Sequence, residues 1–329
     1  MKILVVKLRA IGDTVIWTAN LAALRERHPE AEIHALTYPA NVAVLMGNPA
    51  VDRIHTVQPK SKRALIRALW NLRGEKFDWF LGFHATTSLC RWAWLTGARA
   101  TVLHHHSWRR TPRGSRPVPH AGDLEDTITR DQRVLEAMGF APQRQPTRIY
   151  LTEDESVWAR GQLPPSGKPR YMFLPGASHH LRRYPKDLWL PLVEKVKRED
   201  VYEPVVLCDG ALSAEWNLRE ECTKLGVELF DRHGLREFFA LIAQGEKALA
   251  NDSGPGHAAV ALGLGTSFIF GPGCVGDWHC YDAKIHPVFR TNVDCRLEGP
   301  RDRERFQFCV VDRCSHHSCL RKLKIPARI

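Results

Sequence analysis

The 329-residue sequence lacks any run of about 18 or more apolar residues, so we expect no membrane-spanning helix. We also expect no signal peptide, because the N-terminus begins directly with a strand-like apolar run, Lys2–Val6. Together these absences favour a cytoplasmic protein. Short repeats, RNP motifs and paired zinc-finger spacings are absent too, so nucleic acid is not an expected partner. No glycine-rich stretch forms a G-x-G-x-x-G turn after a first strand, which disfavours a dehydrogenase.

The nine cysteines form no C-x₂-C pair, and a disulfide framework is not expected in a cytoplasmic protein. Most of the scattered ones are predicted to be small core residues, namely Cys90, Cys208, Cys222, Cys274 and Cys280. A second group lies in a basic stretch near the C-terminus and consists of Cys295, Cys309, Cys314 and Cys319. Four thiolates can bind structural zinc, but we weigh this as the minor alternative because the spacing is not that of strong zinc motifs.

Basic residues outnumber acidic ones, 47 to 36, which gives a formal net charge of +11. They cluster at residues 60–63, 108–110, 113–116 and 182–183 and in the tail from Arg301. This balance favours an anionic partner such as a phosphorylated glycolipid or a membrane surface. The alternative is a basic face that contacts only solvent.

Apolar strand-like runs alternate with helical patterns, which predicts a doubly wound parallel α/β fold. Helices are predicted over Thr14–His28, Leu124–Met138 and Glu215–Leu225, among others. The segment 164–169, PPSGKP, is the best candidate for a linker, and a second αβ series begins at the strand Tyr171–Leu174. We therefore expect two domains, residues 1–163 and residues 170–329, the second carrying the cysteine-rich tail.

The stretch Lys247–Pro272 contains the most informative local pattern. A short apolar strand ends in Asn251–His257, NDSGPGH, and is followed by a small-residue helix and a second apolar strand. The glycines remove side chains from the turn, so a phosphate or diphosphate could approach the backbone N–H groups at the helix N-terminus. An ordinary helix start, capped by Asp252 or Ser253, carries equal weight from the residues alone.

Four stretches in register resemble glycosyltransferase family 9, the heptosyltransferases of lipopolysaccharide core assembly. They are the opening KILVVKLRAIGDTV, the segment 76–78 (KFD), the segment 175–185 with its PGA and RRYP, and the segment 251–263 (NDSGPGHAAVALG). The resemblance implies a GT-B fold, in which two Rossmann-like domains flank a cleft. The N-terminal domain would then bind the acceptor and the C-terminal domain the nucleotide sugar.

The same resemblance implies a metal-independent, cofactor-free transfer of heptose from ADP-heptose to a lipopolysaccharide core or lipid A-type acceptor, with inversion of configuration. Two alternatives stay open. One is a related transferase with another nucleotide sugar or acceptor, and the other is a catalytically silent nucleotide- or carbohydrate-binding protein. We expect a monomer that contacts the inner face of the cytoplasmic membrane peripherally.

Site residues follow from the matched motifs. Asp13 of the Gly-Asp pair would be the general base, although it could instead cap a helix that begins at Thr14. Arg182 stands where the family commonly has a phosphate-binding lysine, and Asp252 would contact the donor sugar. Glu215 would hold the ribose, with a solvated glutamate at a helix start as the equal alternative. The remaining donor contacts are predicted for Ser253, Gly254, Pro255, Gly256 and His257, of which His257 could instead simply pack inside the helix.

The segment His104–His120 is predicted to be an irregular loop, because it combines three prolines and many basic residues with no helical pattern. Arg109, Arg110 and Arg113 within it are candidates for contacts to an anionic acceptor, against an equal alternative of a surface excursion. Family members usually end in a helix that crosses back over the N-terminal domain. Few residues follow the cysteines here, so we expect the two domains to close differently.

Overall fold

The computed structural model describes residues 1–105, 115–119, 125–291 and 318–325. The chain divides into two compact units, Met1–Tyr150 and Leu151–Ile329. Each unit is built on a parallel β-sheet of six strands. The predicted α/β class with two doubly wound sheets is therefore confirmed.

The sheet of the first unit has the order β3-β2-β1-β4-β5-β6. Its strands are β1 (Lys2–Val6), β2 (Glu32–Thr37), β3 (Arg53–Thr56), β4 (Trp79–Gly82), β5 (Ala100–His105) and β6 (Ser115–Pro119). Along β1, Ile3 and Val5 pack into one apolar core, while Leu4 and Val6 pack into another on the opposite face. Burial of both faces explains why this strand is continuously apolar.

The helices of the first unit are α1 (Ile11–Arg27), α2 (Val42–Leu45), α3 (Lys62–Asn71), α4 (Thr87–Trp92) and α5 (Thr127–Glu136). Helix α1 begins at Ile11, earlier than predicted, and its N-cap residue is Ala10. Asp13 therefore lies inside the first turn, and the alternative in which it caps a helix starting at Thr14 is wrong.

The prediction of an irregular loop over His104–His120 is wrong in part, because the segment contains strand β6. This strand pairs in parallel with β5, and its register places Pro117 opposite Leu103. Proline cannot donate a ladder hydrogen bond but is tolerated in an edge strand, which is the position of β6. Arg109, Arg110 and Arg113 lie outside the described residues.

The sheet of the second unit has the order β12-β11-β10-β7-β8-β9, which repeats the order of the first sheet when its strands are counted from β7. Its strands are β7 (Arg170–Leu174), β8 (Glu203–Leu207), β9 (Glu228–Phe230), β10 (Lys247–Asn251), β11 (Gly265–Ile269) and β12 (Val288–Phe289). The first strand of each half thus lies in the sheet interior. At this position a doubly wound sheet reverses its strand order and places ligands at the carboxyl ends of its strands.

The helices of the second unit are α6 (Glu153–Gln162), α7 (Lys186–Glu199), α8 (Gly210–Trp216), α9 (Leu218–Leu225), α10 (Leu235–Ile242), α11 (Gly254–Ala261), α12 (Val275–Trp278) and α13 (Ser318–Arg321). The single helix predicted over Glu215–Leu225 is wrong, because Asn217 adopts a left-handed conformation (φ 53°) between α8 and α9. Glu215 therefore lies near the end of α8 and not at a helix start.

The division between the units falls before α6, whereas the predicted first domain extends to residue 163. Helix α6 packs against α10, and the Arg236 guanidinium donates to both carboxylate oxygens of Glu155 across this contact. This ion pair and helix contact attach α6 to the second unit, and the PPSGKP segment 164–169 lies within that unit.

Candidate functional site

The N-terminus of α11 lies at the carboxyl end of β10, in the turn that the sequence singles out. Ser253 is the N-cap residue by position, but among the described residues its side chain caps no backbone N–H of the helix. The Ser253 hydroxyl instead donates to the carbonyl oxygen of Asn251, at 3.2 Å. Ser253 therefore leaves the N–H groups of Gly254 and Gly256 uncapped, and the helix dipole makes this end electropositive.

Gly256 allows α11 to lie unusually close to the sheet. A Cβ at this position would be 2.6 Å from a ring carbon of Phe268 on β11 and 2.9 Å from the Cβ of Ala250 on β10. Any larger residue would push the helix outward and move its N-terminus. Gly256 therefore fixes the position of the electropositive end relative to the strand ends.

Two of the predicted donor residues, Arg182 and Asp252, are brought together beside this helix end. Asp252 is almost fully buried, and its Oδ2 lies 3.8 Å from Nη1 of Arg182. Arg182 closes the short 3₁₀ turn His180–Arg182 that follows β7. The Asp252 carboxylate also fits against Gly273, where a Cβ would be 2.1 Å from Oδ2. The strand ends of β7 and β10 thus place a cation and a carboxylate next to the N-terminus of α11.

Asn251 connects these two strand ends, and sequence reasoning assigned it no role. Its side chain is fully buried; Nδ2 donates to the carbonyl oxygen of Pro175 at 2.7 Å, and Oδ1 accepts from the backbone N–H of Tyr184 at 3.0 Å. These bonds hold both ends of the loop that carries Arg182. The signal in the sequence that could have indicated this role is a polar residue at the end of an otherwise apolar strand.

The segment 318–325 supports the same loop from the opposite side. The Tyr184 hydroxyl donates to the carbonyl oxygen of Leu323 at 3.1 Å. Leu320 is fully buried, and its side chain lies so close to Gly271 that a Cβ there would be 2.9 Å from Leu320 Cγ. Burial is the main cause that raises the pKa of Tyr184, so the phenol stays neutral and remains a donor.

Glu215 pairs with the neighbouring arginine of the loop. Nη1 of Arg183 lies 2.8 Å from Oε2 of Glu215, whose side chain is 57% exposed. The Arg183 Nε also donates to the carbonyl oxygen of Ala177, at 3.1 Å. Arg182 and Arg183 therefore contact different carboxylates, and a ribose contact by Glu215 stays a prediction.

His257 is buried beneath the turn. A hydrogen bond of 2.9 Å joins its Nδ1 to the Tyr281 hydroxyl, and the Tyr281 ring stacks on Phe268. Burial, assisted by His279 and Arg182, lowers the pKa of His257 to about 3, so its imidazole is neutral at physiological pH. A diphosphate contact by His257 stays a prediction, and the observed bond gives the residue a packing role.

Asp13 lies at the carboxyl end of β1 in the first unit. Its Oδ1 is 3.5 Å from Nε of Arg9, and within the described ranges this buried oxygen has no hydrogen-bond partner. A carboxylate with one oxygen left unsatisfied can accept a proton from a bound hydroxyl. The position therefore suits the base role that the Gly-Asp motif predicts.

A buried charged cluster lies at the same edge of the first sheet and was missed from the sequence. Lys7 Nζ is 2.5 Å from Oδ2 of Asp131, and Nδ1 of His104 is 3.6 Å from its Oδ1; all three side chains are almost fully buried. Burial alone would raise the pKa of Asp131, but the charge of Lys7, the neighbouring His104 and the charge of Arg130 hold it well below its usual range. The strand ends of β1 and β5 are thereby joined to α5.

His84 extends this cluster from the end of β4. It has a left-handed backbone conformation (φ 50°), and its ring centroid lies 6.1 Å from that of His104. Burial, with the nearby charges of Arg9 and Arg130, lowers the pKa of His84 far below its usual value. The imidazole is therefore neutral and polar in a basic environment.

A sequence model of glycosyltransferase family 9 (heptosyltransferase) matches residues 66–298, more than half of the chain. The chain belongs to this family. Lipopolysaccharide heptosyltransferase 3 of Escherichia coli (strain K12) is 21% identical over 278 residues, which are 80% of each chain.

Solved structures of the family share the fold of this glycosyltransferase. The family 9 glycosyltransferase of Veillonella parvula DSM 2008 superposes with a TM-score of 0.82 at 19% identity, over 97% of this chain and 92% of the other. The E. coli heptosyltransferase WaaC with ADP-2-deoxy-2-fluoro heptose superposes with a TM-score of 0.68 at 16% identity, over 95% and 100%. The predicted family and GT-B fold class are confirmed.

The remaining predictions concern metal and membrane. Within the described part of this family 9 glycosyltransferase, no group of three or more His, Cys, Asp or Glu side chains is placed to hold a metal ion. Of the four C-terminal cysteines, only Cys319 lies in the described residues, where it is partly buried in α13. The other three lie outside them, and so does the predicted alternative of a structural zinc site. The five cysteines predicted to be core residues are buried. No helix in the described ranges is long and apolar enough to span a bilayer.

Proposed function

We propose that this glycosyltransferase transfers a heptose from ADP-heptose to an anionic lipopolysaccharide core or lipid A-type acceptor, with inversion and without a metal. The observation that carries the proposal is the uncapped N-terminus of α11 with Arg182 and Asp252 beside it. The ligand in the WaaC structure and the name of the E. coli K12 relative support the choice of donor and acceptor.

The donor diphosphate is proposed to bind the backbone N–H groups of α11 and the guanidinium of Arg182. Both are fixed positive groups, and they would stabilise the negative charge that develops on the leaving ADP. Arginine can bind phosphate oxygens bidentately, so it can replace the lysine that is common in the family. The buried Asp252 carboxylate would accept hydrogen bonds from hydroxyl groups of the donor sugar, and Glu215 would accept them from the ribose hydroxyls.

Asp13 is proposed to remove the proton from the attacking acceptor hydroxyl. The deprotonating oxygen then attacks the anomeric carbon as the bond to the diphosphate breaks, and the proton stays on the carboxylate. Direct attack opposite the leaving group inverts the anomeric configuration. A retaining reaction would need a second, nucleophilic carboxylate, and Asp252 is instead assigned to the donor sugar.

The first unit is proposed to bind the acceptor and the second unit the donor. Arg109, Arg110 and Arg113 are proposed acceptor contacts, since cations there would match phosphates or carboxylates of a core lipid. We further propose that the enzyme is a monomer at the inner face of the cytoplasmic membrane. The net charge of +11 supports attraction to an anionic surface.

The decisive experiment measures binding and turnover with a panel of nucleotide sugars and a deacylated core-lipid acceptor. We expect saturation and ADP release with ADP-heptose, and a product with inverted anomeric configuration by NMR. Asp13→Asn should keep ADP-heptose binding and lower kcat by at least about 100-fold, which is the usual size of general-base catalysis.

Asp154→Asn, at an exposed position on α6, is the matched control and should leave kcat unchanged. Turnover with another nucleotide sugar alone would reject the proposed donor. Tight binding of ADP-heptose without any turnover, across all acceptors, would instead identify a silent binding protein.

A further inference from the structure

Helix α3 presents an exposed face that combines cations with apolar side chains. Arg63, Ile66, Arg67 and Trp70 occupy positions i, i+3, i+4 and i+7, so they lie on one side of the helix. The opposite side carries Leu65 and Leu69, which are buried in the core of the first unit. The exposed residues therefore serve no purpose in packing this unit.

A second exposed tryptophan lies on the element that packs beside α3. The turn Ala93–Thr96 contacts α3, and Arg73 donates from Nη1 to the carbonyl oxygen of Leu95 at 3.4 Å. Trp94 in this turn is 56% exposed, Trp70 is 57% exposed and Ile66 is 36% exposed. Large apolar side chains usually avoid such exposure, and neighbouring ones mark interaction sites. We call the exposed residues of α3 and Trp94 together the α3 surface.

The α3 surface is surrounded by cations and contains no acid. Lys60, Lys62 and Arg91 are exposed near it, and no Asp or Glu occurs in residues 60–74 or 86–99. The Arg73 guanidinium lies 5.7 Å from the centroid of the Trp70 ring, and the Trp94 indole N–H donates to the carbonyl oxygen of Arg91 at 3.1 Å. Both tryptophans are thus held in outward-facing positions among positive charges.

We propose that the α3 surface docks onto a lipid bilayer that carries anionic headgroups. Tryptophan prefers the interface between headgroups and acyl chains, and lysine and arginine are attracted to anionic lipids. Helices of this composition lie in the plane of the interface without crossing it. The proposal rests on the peripheral membrane contact proposed above and deepens it, because it names the surface that would bring the enzyme to a membrane-embedded acceptor.

Two other partners fit the α3 surface less well. A second copy of the chain would bring two positively charged surfaces together, which costs electrostatic free energy. Single-stranded RNA binds basic surfaces through bases stacked on aromatic rings, but Ile66 offers no stacking plane and the Arg73 guanidinium already lies over Trp70. A bilayer uses the aliphatic, aromatic and cationic groups together.

The test measures co-sedimentation of the full chain with vesicles of phosphatidylcholine alone and with added phosphatidylglycerol. We expect binding to the anionic vesicles that weakens as NaCl screens the charges. Trp70→Ala/Trp94→Ala should reduce binding at least about tenfold, because it removes the inserted apolar area. Arg63→Gln/Arg67→Gln should reduce it about 25-fold, or about fivefold for each cation lost near the surface.

Matched controls lie in the second unit. Val201→Ser/Ile285→Ser removes apolar side chains that are 62% and 61% exposed, and Lys322→Gln/Lys324→Gln removes two exposed cations; neither should change vesicle binding. Equal binding of all variants, binding to phosphatidylcholine alone, or competition by single-stranded RNA would overturn the proposal. ADP affinity, measured in parallel by calorimetry, reports the donor site independently. Intact ADP binding without vesicle binding rejects only the docking surface, and the reverse result rejects only the donor site.

Discussion

At the scale of single residues, the structure gives roles to side chains for which the sequence predicted none. Asn251 holds both ends of the loop that carries Arg182, and Lys7 forms a buried ion pair with Asp131. These two partners are 124 positions apart in the sequence. No local pattern can reveal such a pair, because a lysine after a strand and an aspartate on a helix are individually ordinary.

The buried ion pair leads to a prediction about stability. Lys7→Met leaves Asp131 charged and buried, so we expect a loss of about 3–5 kcal/mol in the free energy of unfolding. Asp131→Asn should cost a similar amount, because it leaves Lys7 without its counter-charge. The double variant Lys7→Met/Asp131→Asn should lose clearly less than the sum of the single variants. Urea unfolding of the full chain measures all three.

The exposed ion pair Lys168–Asp200, with side chains 42% and 77% exposed, is the matched comparison. Lys168→Met should barely alter the unfolding midpoint, since water already solvates both charges. Strict additivity of the Lys7 and Asp131 substitutions would contradict a coupled pair.

At the scale of elements, the unit β10–turn–α11–β11 was predicted correctly from local signals. Apolar runs, glycines and Pro255 specify a strand, a turn and a helix within a few residues of one another. The failures occurred at a backbone conformation and at a strand position that the local pattern does not indicate. Helix α8 stops because Asn217 adopts a left-handed conformation, and β6 forms despite its prolines because an edge position tolerates them.

The close approach of α11 to the sheet gives a prediction for the donor site. Gly256→Ala should lower stability by about 1–3 kcal/mol, because the new methyl group would overlap Phe268 and Ala250. The displaced helix end should also weaken ADP binding, which calorimetry would detect as a higher Kd. Gly161→Ala on the exposed side of α6 meets no atom within 4 Å and should instead stabilise the protein slightly. Unchanged ADP affinity in Gly256→Ala would show that the close approach of α11 at Gly256 is not needed for donor binding.

At the scale of the whole molecule, composition and strand–helix alternation were sufficient to predict two parallel α/β sheets. The boundary between the two units differs from the predicted domain boundary, because PPSGKP has the composition of a linker whereas packing decides where a unit ends. Helix α6 joins the second unit through the pairing of Glu155 with Arg236, partners far apart in sequence. The burial of charged clusters and the packing of helices depend on contacts between residues that are far apart in the sequence. Local sequence patterns therefore do not predict them.

The pH dependence of stability is a property of the complete fold and can be predicted from His257. The folded pKa of His257 is about 3, so below its unfolded value of about 6.5 only the unfolded chain takes up the proton. Folding stability attributable to this residue is therefore present above about pH 6.5 and decreases as the pH falls toward 3. The lowered pKa of Asp131 adds a loss in the same direction below about pH 4.

We expect His257→Asn to flatten the dependence of unfolding free energy on pH by about 1.4 kcal/mol per unit between pH 6 and 5. Urea titrations at pH 7, 6 and 5 on the wild type and the variant provide the measurement. His180→Asn, at an exposed position, controls for the loss of an imidazole. Parallel curves for His257→Asn and the wild type would show that the histidine is protonated in the folded protein.

Two contacts of the segment 318–325 have a practical consequence for the preparation of this enzyme. They are the hydrogen bond from Tyr184 to Leu323 and the close contact of Leu320 with Gly271. A chain truncated before residue 318 would lose the segment 318–325, which supports the loop that carries Arg182. We expect such a truncated enzyme to bind ADP more weakly, because the loop has lost its support. The truncated chain would nevertheless keep every side chain that is proposed to contact the nucleotide.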